Sequence, residues 1–269
     1  MTTGFTATAR SVVGLVRSGN EDSALLHSHL IAVADGMGGH AGGEVASSVA
    51  VKTLSLLIDL VNQNDETPID SDSIEALLLN SLYDIDSEMK RVAKENIELK
   101  GMGTTLTALM LYPNANKSKE LKVALLHVGD SRCYRLRGNS LQQISHDHTV
   151  LQELIDQGSI SLEEARDHPQ SSFLTQAIVG DGTLTPVLTV IDVKAKDRFL
   201  ICSDGLSGVL NEKEIKQGMK IVNPEEALTY LIEKTYSSGA PDNVTIVLAN
   251  VEDQVELRPL TFLGAAANE

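Results

Sequence analysis

Four aspartates of this chain share one local pattern, in which an apolar run ends in an acidic residue at a turn. They are Asp35, Asp130, Asp204 and Asp242. A strand end holds a side chain rigidly, and a following glycine or tight turn lets the backbone approach a ligand closely. A single Asp-Gly pair would indicate only turn chemistry. Four such positions in one chain favour a common site.

Carboxylates that converge raise one another's pKa values unless a cation neutralises them. No Cys or His stands at ligand spacing beside these aspartates, so the donors are hard oxygens, which suit Mg²⁺ or Mn²⁺ better than Zn²⁺. Two such ions sharing a bridging carboxylate could lower the pKa of a bound water towards neutrality and hold a phosphoryl oxygen. The pattern therefore predicts a divalent-metal site suited to phosphoryl chemistry.

The segment from Arg17 to Asp22 adds a cation and two more carboxylates near the N-terminus. Glu21 and Asp22 could hold metal-bound waters, and the planar, always charged guanidinium of Arg17 could grip a phosphate bidentately. The alternative is a surface turn with a chance charge pair. The residues alone leave both interpretations open.

A glycine-rich run, residues 35–43, opens the first predicted long helix. It lacks the Lys-Ser/Thr pair of a P-loop and the spacing of a dinucleotide-binding fingerprint. We therefore expect its glycines to let the Gly36 carbonyl and the Asp35 carboxylate face the same ion.

The elements that must position these residues are predicted from hydrophobic periodicity. Apolar residues recur at helical spacing over 42–61 and 73–99, and a further helix is predicted over 224–236. Because strands come in runs and the long helices in a pair, packed antiparallel sheets with helices outside them are expected. Strand-like runs occupy Leu30–Ala34, Thr104–Leu111, Leu121–Val128, Arg132–Leu136, Val187–Val193, Arg198–Cys202 and Val244–Val251.

Composition narrows the class of protein. The chain has 269 residues, 42% of them hydrophobic, and a formal net charge of −15. Such an acidic surface repels nucleic acid and anionic lipid, so neither is expected as a partner. No apolar run is long enough for a membrane span, the N-terminus lacks a secretory signal, and Cys133 and Cys202 form no zinc or redox motif. These features predict a cytoplasmic protein with reduced thiols.

Seven segments, in this order, resemble the PP2C (PPM) family of metal-dependent protein phosphatases in its compact bacterial form. Each motif is weak alone, but together they are specific and cover the chain from about residue 5 to residue 251. The segments are Arg17–Asp22, Val33–Ala46, Gly101–Thr105, Val128–Arg132, Asp147–Thr149, Ser203–Gly205 and Gly239–Thr245.

The resemblance implies an α+β fold, a four-layer α-β-β-α sandwich with two central, mostly antiparallel β-sheets flanked by helices. One phosphatase domain would span residues 1–251, with a flap at about 146–183, and residues 252–269 would form a C-terminal tail. The metal centre would lie in a cleft at one edge of the sandwich.

The resemblance also implies a set of metal ligands. Asp35 would bridge two core Mn²⁺ or Mg²⁺ ions, and the Gly36 carbonyl would join one of them. Asp204 and Asp242 would complete the other. Asp130 matches the extra carboxylate with which bacterial members hold a third ion, together with Asp204.

Further residues take supporting roles by the same resemblance. Glu21 and Asp22 would bind the ions through water, and Arg17 matches the family's phosphate-gripping arginine. Asn243 would support the site beside Asp242. Ser172, inside the flap, is a candidate contact for the third ion.

One position departs from the animal members of the family, in which a histidine follows the Asp-Gly and protonates the leaving group. Met37 stands there in this sequence. His40, three residues on, could replace that histidine, and so could a metal-bound water; His40 could equally be a helix-start residue without a catalytic role.

The implied reaction is direct hydrolysis of phosphoserine or phosphothreonine in proteins by a metal-bridging hydroxide. The implied partners are phosphoproteins, including a serine/threonine kinase of the same cell, and we expect a monomer. The chain could be a cytoplasmic protein or the cytoplasmic catalytic part of a membrane-anchored one. Two alternatives stay open: a catalytically silent module of the same fold, and a phosphatase dedicated to another substrate, as in bacterial sigma-factor switches.

Overall fold

The structure is a computed structural model that describes residues 2–38, 42–62, 71–113, 120–161, 164 and 173–267. Two candidate site residues, His40 and Ser172, lie outside these ranges. Within them, two β-sheets stack face to face and helices cover both outer faces. The predicted four-layer α+β architecture is therefore confirmed.

The first sheet has five strands within the described ranges, and every neighbouring pair is antiparallel. Strands β1 and β11 pair from Thr2 opposite Val255 to Val12 opposite Val244, so this sheet joins segments from both ends of the chain. In spatial order the strands are β1 (Thr2–Val12), β11 (Val244–Val255), β10 (Arg198–Cys202), β7 (Arg132–Arg137) and β8 (Ser140–Gln143).

The second sheet has seven strands within the described ranges and is also antiparallel throughout. Its spatial order is β12 (Thr261–Gly264), β2 (Asp22–Leu26), β3 (Leu30–Met37), β5 (Leu106–Pro113), β6 (Leu121–Val128) and β9 (Val187–Asp192). The short strand β4 (Gly103–Thr104) pairs with the last residues of β3, beyond the part of β3 that β5 covers.

Helices occupy both outer layers, and capping residues visible in the sequence mark where several begin. Asn223 accepts hydrogen bonds from the first turn of the helix that Pro224 opens, and Asn211 forms a reciprocal capping box with Glu214. The described helices are α1 (Gly42–Asn62), α2 (Ser71–Glu95), α3 (Val150–Asp156), α4 (Asp204–Ser207), α5 (Glu212–Met219) and α6 (Pro224–Ser237).

Alternation along the strands divides the apolar residues into three layers. In β3, Ile31 and Val33 point into the layer between the sheets, where Phe5 and Phe199 meet edge to face at 6.3 Å. The intervening Leu30 lies in the layer under α1 and α2. Because β3 is covered on both faces, its sequence is apolar throughout, and such a strand is a rigid mount for the residues that follow.

Several element boundaries differ from the predictions. The second long helix ends at Glu95 rather than near Leu99, because Asn96 caps a separate 3₁₀ turn at Ile97–Leu99. The predicted tail contributes to the fold: β11 continues to Val255, and residues 261–264 form β12 beside β2. The strands β1, β2, β8 and β12 and the helices α4 and α5 were not predicted.

The described part of the flap is anchored at both ends. At its first end, Thr149 caps α3 and forms a β-bridge with Leu174. At its second end, the carboxylate of Asp86 on α2 accepts hydrogen bonds from Gly180 N (2.8 Å) and Gly182 N (2.9 Å). Residues 162–163 and 165–172 of the predicted flap lie outside the described residues.

The α-helices within the described ranges have between 4 and 25 residues. None of them combines the length and the apolar character that a bilayer span requires.

Candidate metal centre

Asp22 and Asp35 face each other across the β2–β3 hairpin, in register. Asp22 is fully buried, and its Oδ2 accepts a hydrogen bond from Ser203 Oγ at 2.8 Å, whereas its Oδ1 has no hydrogen-bond partner. Burial first, then the charges of Asp204 and Asp242, raise the pKa of Asp22 to about 7. An unpaired buried carboxylate oxygen is costly, so it indicates a missing donor or cation at this point.

Asp35 lies inside β3, two residues before its end, rather than at a strand terminus as the sequence pattern suggested. Its backbone is fixed by β4 and the residue after it: Thr105 N and Thr104 Oγ1 each donate to Asp35 O at 2.9 Å, and Asp35 N donates to Thr105 Oγ1 at 3.0 Å. The side chain is partly exposed. Its carboxylate can therefore reach a ligand while its main chain cannot move.

Desolvation dominates the electrostatics of Asp35, even though part of the side chain is accessible. Burial, followed by the charges of Asp22 and Asp204, raises the pKa of Asp35 well above its ordinary value. Asp204 is the first residue of α4, one residue after the end of β10, and its pKa is raised by burial and by Asp242. We call Asp22, Asp35 and Asp204 the floor of the site.

Glycines allow backbone segments to close around the floor. A Cβ on Gly36 would overlap the carbonyl oxygen of Gly43, and one on Gly205 would overlap the carbonyl oxygen of Asn243. Gly36 N also donates to Glu21 O at 3.2 Å. Only glycine fits these positions, because the backbones of Gly43 and Glu21 lie against residue 36 and that of Asn243 lies against residue 205.

Arg17, Glu21 and Asp242 form a more exposed group, which we call the rim. Arg17 Nη2 donates to Asp242 Oδ2 at 2.7 Å, and Arg17 Nη1 lies 3.9 Å from Glu21 Oε2. The hydrogen bond to Asp242 is the main reason that the pKa of Arg17 is raised. Asp242 stands just before β11, so it precedes a strand rather than ending one.

Asn243 holds the rim loop by its side chain. Its Oδ1 accepts from Glu21 N at 2.8 Å, and its Nδ2 donates to Val13 O at 2.9 Å and Gly19 O at 2.8 Å. One nearly buried amide thus fixes the loop that carries both Arg17 and Glu21. Asn243 N also donates to Asp242 Oδ1 at 2.8 Å, so Asn243 lies beside a candidate ligand, and its supporting role there stays a prediction.

Asp130 lies between β6 and β7. We call residues 129–132, which include the first residue of β7, the Asp130 turn. Burial first, then Asp204 and Asp147, raise the pKa of Asp130 to about 7. The neighbouring Ser131 is buried, and its Oγ lies 2.8 Å from Thr105 Oγ1. Since Thr105 also fixes Asp35, one threonine connects two of the candidate ligands.

The donor set fits a hard divalent cation. Burial and neighbouring carboxylates together raise the pKa values of Asp22, Asp35 and Asp204, so a cation beside them would be stabilising. Among the described residues, no three histidine, cysteine, aspartate or glutamate side chains form a group that could hold an ion by themselves. Mg²⁺ and Mn²⁺ usually complete their shells with water and backbone carbonyl oxygens, so a partial set of carboxylates beside Gly36 suits them.

The polar residues beneath the floor were not predicted as functional. Besides its bond to Asp22, Ser203 Oγ accepts from Thr245 N at 3.0 Å, and Thr104 and Thr105 hold Asp35. The sequence signal was present, since both positions lie in segments that carry the family resemblance, Gly101–Thr105 and Ser203–Gly205. Their partners, however, lie far away in sequence and cannot be inferred from it.

Comparison with known proteins gives one family. The model described as "Protein phosphatase 2C" matches residues 20–250. The serine/threonine protein phosphatase PstP of Mycobacterium tuberculosis is 41% identical over 245 residues, which is 91% of this chain but 45% of that protein. This chain therefore spans about half the length of that relative. The serine/threonine phosphatase stp of Listeria welshimeri is 33% identical over 241 residues, 87% of this chain and 91% of that protein.

A solved structure resembles the present fold closely. The catalytic domain of PstP, described as a complex with two manganese ions, superposes with a TM-score of 0.78 at 36% identity. The match covers 94% of this chain and all of that one. Its likeness extends over both sheets and the layers of helices.

Proposed function

Since this chain belongs to the protein phosphatase 2C family, we propose that it hydrolyses phosphoserine and phosphothreonine in proteins with the help of two Mn²⁺ or Mg²⁺ ions. The observation that carries the proposal is the floor: three adjacent carboxylates, each with a raised pKa, one with an oxygen that has no partner. Such an arrangement is unfavourable for the protein alone and favourable around divalent cations.

We assign the ligands as follows. The two core ions would be held by Asp35, as the ligand common to both, with the Gly36 carbonyl for one and Asp204 and Asp242 for the other. Asp130 and Asp204 would hold a third ion, with Ser172 as a candidate contact. Two manganese ions in the PstP relative support the core pair.

The bound ions would supply an ionised water near neutral pH and would neutralise phosphoryl charge. The chain's own residues then orient the reactants. Glu21 and Asp22, beside the ligands, would hold ordered water, since both lie where a carboxylate can accept hydrogen bonds. Arg17, half exposed at the rim, would turn from Asp242 towards the phosphate and bind two of its oxygens.

The reaction adds one water across the ester. The water oxygen joins phosphorus, the bond between phosphorus and the seryl or threonyl oxygen breaks, and that oxygen takes a proton. We propose His40 or a water as the donor of this proton. Met37 cannot serve, because its thioether carries no exchangeable proton.

The proposal extends to partners and location. The substrates would be phosphoproteins, a serine/threonine kinase of the same cell would be among them, and the protein would act as a monomer on the cytoplasmic side. The names of the PstP and stp relatives support the substrate class. The proposal of a third ion depends on Asp130, because Asp204 is already a proposed ligand of the core ions.

The test is phosphate release from a phosphothreonine peptide in the presence of Mn²⁺. We expect Asp204→Asn to lower kcat/KM by about a thousandfold, because it removes a charged ligand of the core ions. Asp84→Asn, an exposed aspartate on α2, is the matched control and should keep the parent activity. Hydrolysis that persists in Asp204→Asn, or that is absent with every divalent metal, would contradict the proposal and favour a silent module.

A further inference from the structure

The Asp130 turn and the flap are connected by two consecutive residues, Asp147 and His148. His148 N donates to Gly129 O at 2.8 Å, and Gly129 N donates back to His148 Nδ1 at 3.1 Å. Both polar backbone groups of Gly129 are therefore held by one residue. Gly129 itself has a φ of +104°, which residues other than glycine rarely adopt. The two hydrogen bonds to His148 therefore hold an unusual backbone conformation.

The other flank of the turn is held by the preceding residue. Arg132 donates to the buried Asp147 through Nε (2.7 Å) and Nη2 (2.6 Å), and Gln143 Nε2 donates to the second oxygen of Asp147 at 3.0 Å. Asp130 thus lies between two residues, Gly129 and Arg132, that are each bound to the start of the flap. An arginine that is bound through two nitrogens to a buried carboxylate resists separation from it.

The same two residues lead directly into the flap. His148 O accepts from Thr175 N, and Val150 N donates to Phe173 O, both at 2.9 Å. We call residues 148–150 and 173–175 the flap base. The two segments of the flap base are therefore hydrogen-bonded to each other, and the first of them is also hydrogen-bonded to the Asp130 turn through His148.

His148 also has a fixed ring. Its ring packs against His127 of β6, with centroids 4.9 Å apart. Because Gly129 N can only donate, Nδ1 of His148 must be unprotonated, which leaves the proton of the neutral ring on Nε2. The tautomer and the orientation of the ring are set by the Asp130 turn itself.

We propose that His148 is a positioning residue that joins the flap base and the Asp130 turn into one mechanical unit, so that a cation at Asp130 and the order of the flap base depend on each other. The part concerning a cation rests on the proposed function. The coupling is reciprocal: whatever binds at Asp130 stabilises the flap base, and whatever orders the flap base improves binding at Asp130.

The first measurement uses the unmodified protein and needs no activity. Amide hydrogen exchange of Gly129 and Thr175 is followed in metal-free protein and during titration with Mn²⁺. We expect the two amides to gain protection together over the same range of concentration. Protection of Gly129 without any change at Thr175 would overturn the proposal.

The second measurement compares two substitutions of His148. In His148→Leu the acceptor for Gly129 N is lost, and we expect exchange at Gly129 and Thr175 to rise about tenfold. The weakest Mn²⁺ binding event, followed by calorimetry, should weaken by about tenfold, as for other residues that orient a ligand. In His148→Asn the side-chain oxygen stands near the position of Nδ1, so both effects should be largely reversed.

The matched control is His146→Leu. His146 lies two residues away, is exposed, and pairs with Asp156 on α3 rather than with the Asp130 turn. It should leave exchange and Mn²⁺ binding unchanged. Equal effects of His146→Leu and His148→Leu, or no recovery in His148→Asn, would overturn the proposal. If the protein binds no Mn²⁺ at all, the proposed function fails, while metal-free exchange in the His148 variants still decides whether the two segments are coupled.

Discussion

The floor and the rim of the metal centre differ in how their charges are compensated. In the floor, burial raises the pKa of Asp22, Asp35 and Asp204, and neighbouring carboxylates raise each pKa further. The hydrogen-bond partner of the buried Asp22 is a hydroxyl, that of Ser203, rather than a cation. In the rim, Arg17 lies against Asp242 and near Glu21, where solvent also screens the charges. The floor is therefore costly to fold without metal, whereas the rim is nearly neutral for stability.

The difference suggests that the floor and the rim have different functions. A site that stores unfavourable charge gains the most when cations arrive, so the floor should determine metal binding and the rate of the chemical step. A partly exposed arginine that can leave one carboxylate for a phosphate should determine how well the substrate is held. Substitutions in the floor should therefore lower activity without lowering stability. Substitutions in the rim should weaken substrate binding and leave stability unchanged.

The largest effect is expected for Asp35→Asn in the floor. Activity should fall by at least about a thousandfold, because the substitution removes the charge that we propose both ions share. The free energy of unfolding of the metal-free protein should stay the same or rise, since one member of a crowded group becomes neutral. Steady-state kinetics and denaturant unfolding in the presence of a chelator measure the two quantities.

Asp86→Asn provides the contrast for that experiment. Asp86 is also buried, but it accepts two backbone hydrogen bonds from Gly180 and Gly182. Its substitution should lower the free energy of unfolding by about 1–2 kcal/mol. A floor variant that destabilises the metal-free protein as much as Asp86→Asn does would show that the floor is not strained.

A second prediction concerns how the stability of the metal-free protein depends on pH. The pKa of Asp22 is about 7 in the fold and near 4 in an unfolded chain, so the folded state holds this proton over a range where the unfolded state has released it. The contribution of Asp22 to stability therefore becomes less favourable as pH rises from about 4 to 7. Asp22→Asn mimics the protonated form, so its advantage over the parent should be absent near pH 4 and largest above pH 7.

The measurement is chemical unfolding of metal-free Asp22→Asn and parent protein across that pH range. Saturating Mn²⁺ should abolish the advantage of the variant, because a cation stabilises the ionised carboxylates. An advantage that is independent of pH would mean that Asp22 is ionised in the fold, and the contrast between floor and rim would then lose its electrostatic basis.

The smallest effect is expected at the rim. Arg17→Lys keeps the charge beside Asp242 but loses the two-pronged geometry, so KM for a phosphopeptide should rise by about tenfold while the melting temperature stays unchanged. Arg10→Lys is the control, because Arg10 forms a similar exposed pair with Glu225 outside the site. A clear drop in stability for Arg17→Lys alone would remove the distinction between rim and floor.

Much of the layered fold was predictable, because buried strands and amphipathic helices have different hydrophobic periods. The strand Arg198–Cys202 was predicted with its observed bounds, and β6 likewise. The missed helix α5 carried a readable signal, the Asn211–Glu214 capping box. The missed strand β1 alternates buried Phe5 and Ala7 with polar residues, which a strand of this length often does.

The candidate site was predictable by residue type but not by arrangement. Acidic residues beside turns identified Asp35, Asp130, Asp204 and Asp242 as candidates, yet the pairing of Asp22 with Asp35 follows only from the β2–β3 register. The clamp that Asn243 makes on the rim loop joins residues more than 200 positions apart. Contacts of this kind depend on how sheets assemble, and no local pattern encodes them.

The pairing of strands that are distant in sequence has a consequence for the order of folding. Asp22 sits on β2, whose outer neighbour is β12, and Asp242 precedes β11, which pairs with β1. Each pair joins strands separated by more than 200 residues, and long-range pairings of this type form late in folding. Asp22 and Asp242 should therefore reach their places in the site only when both sheets are complete.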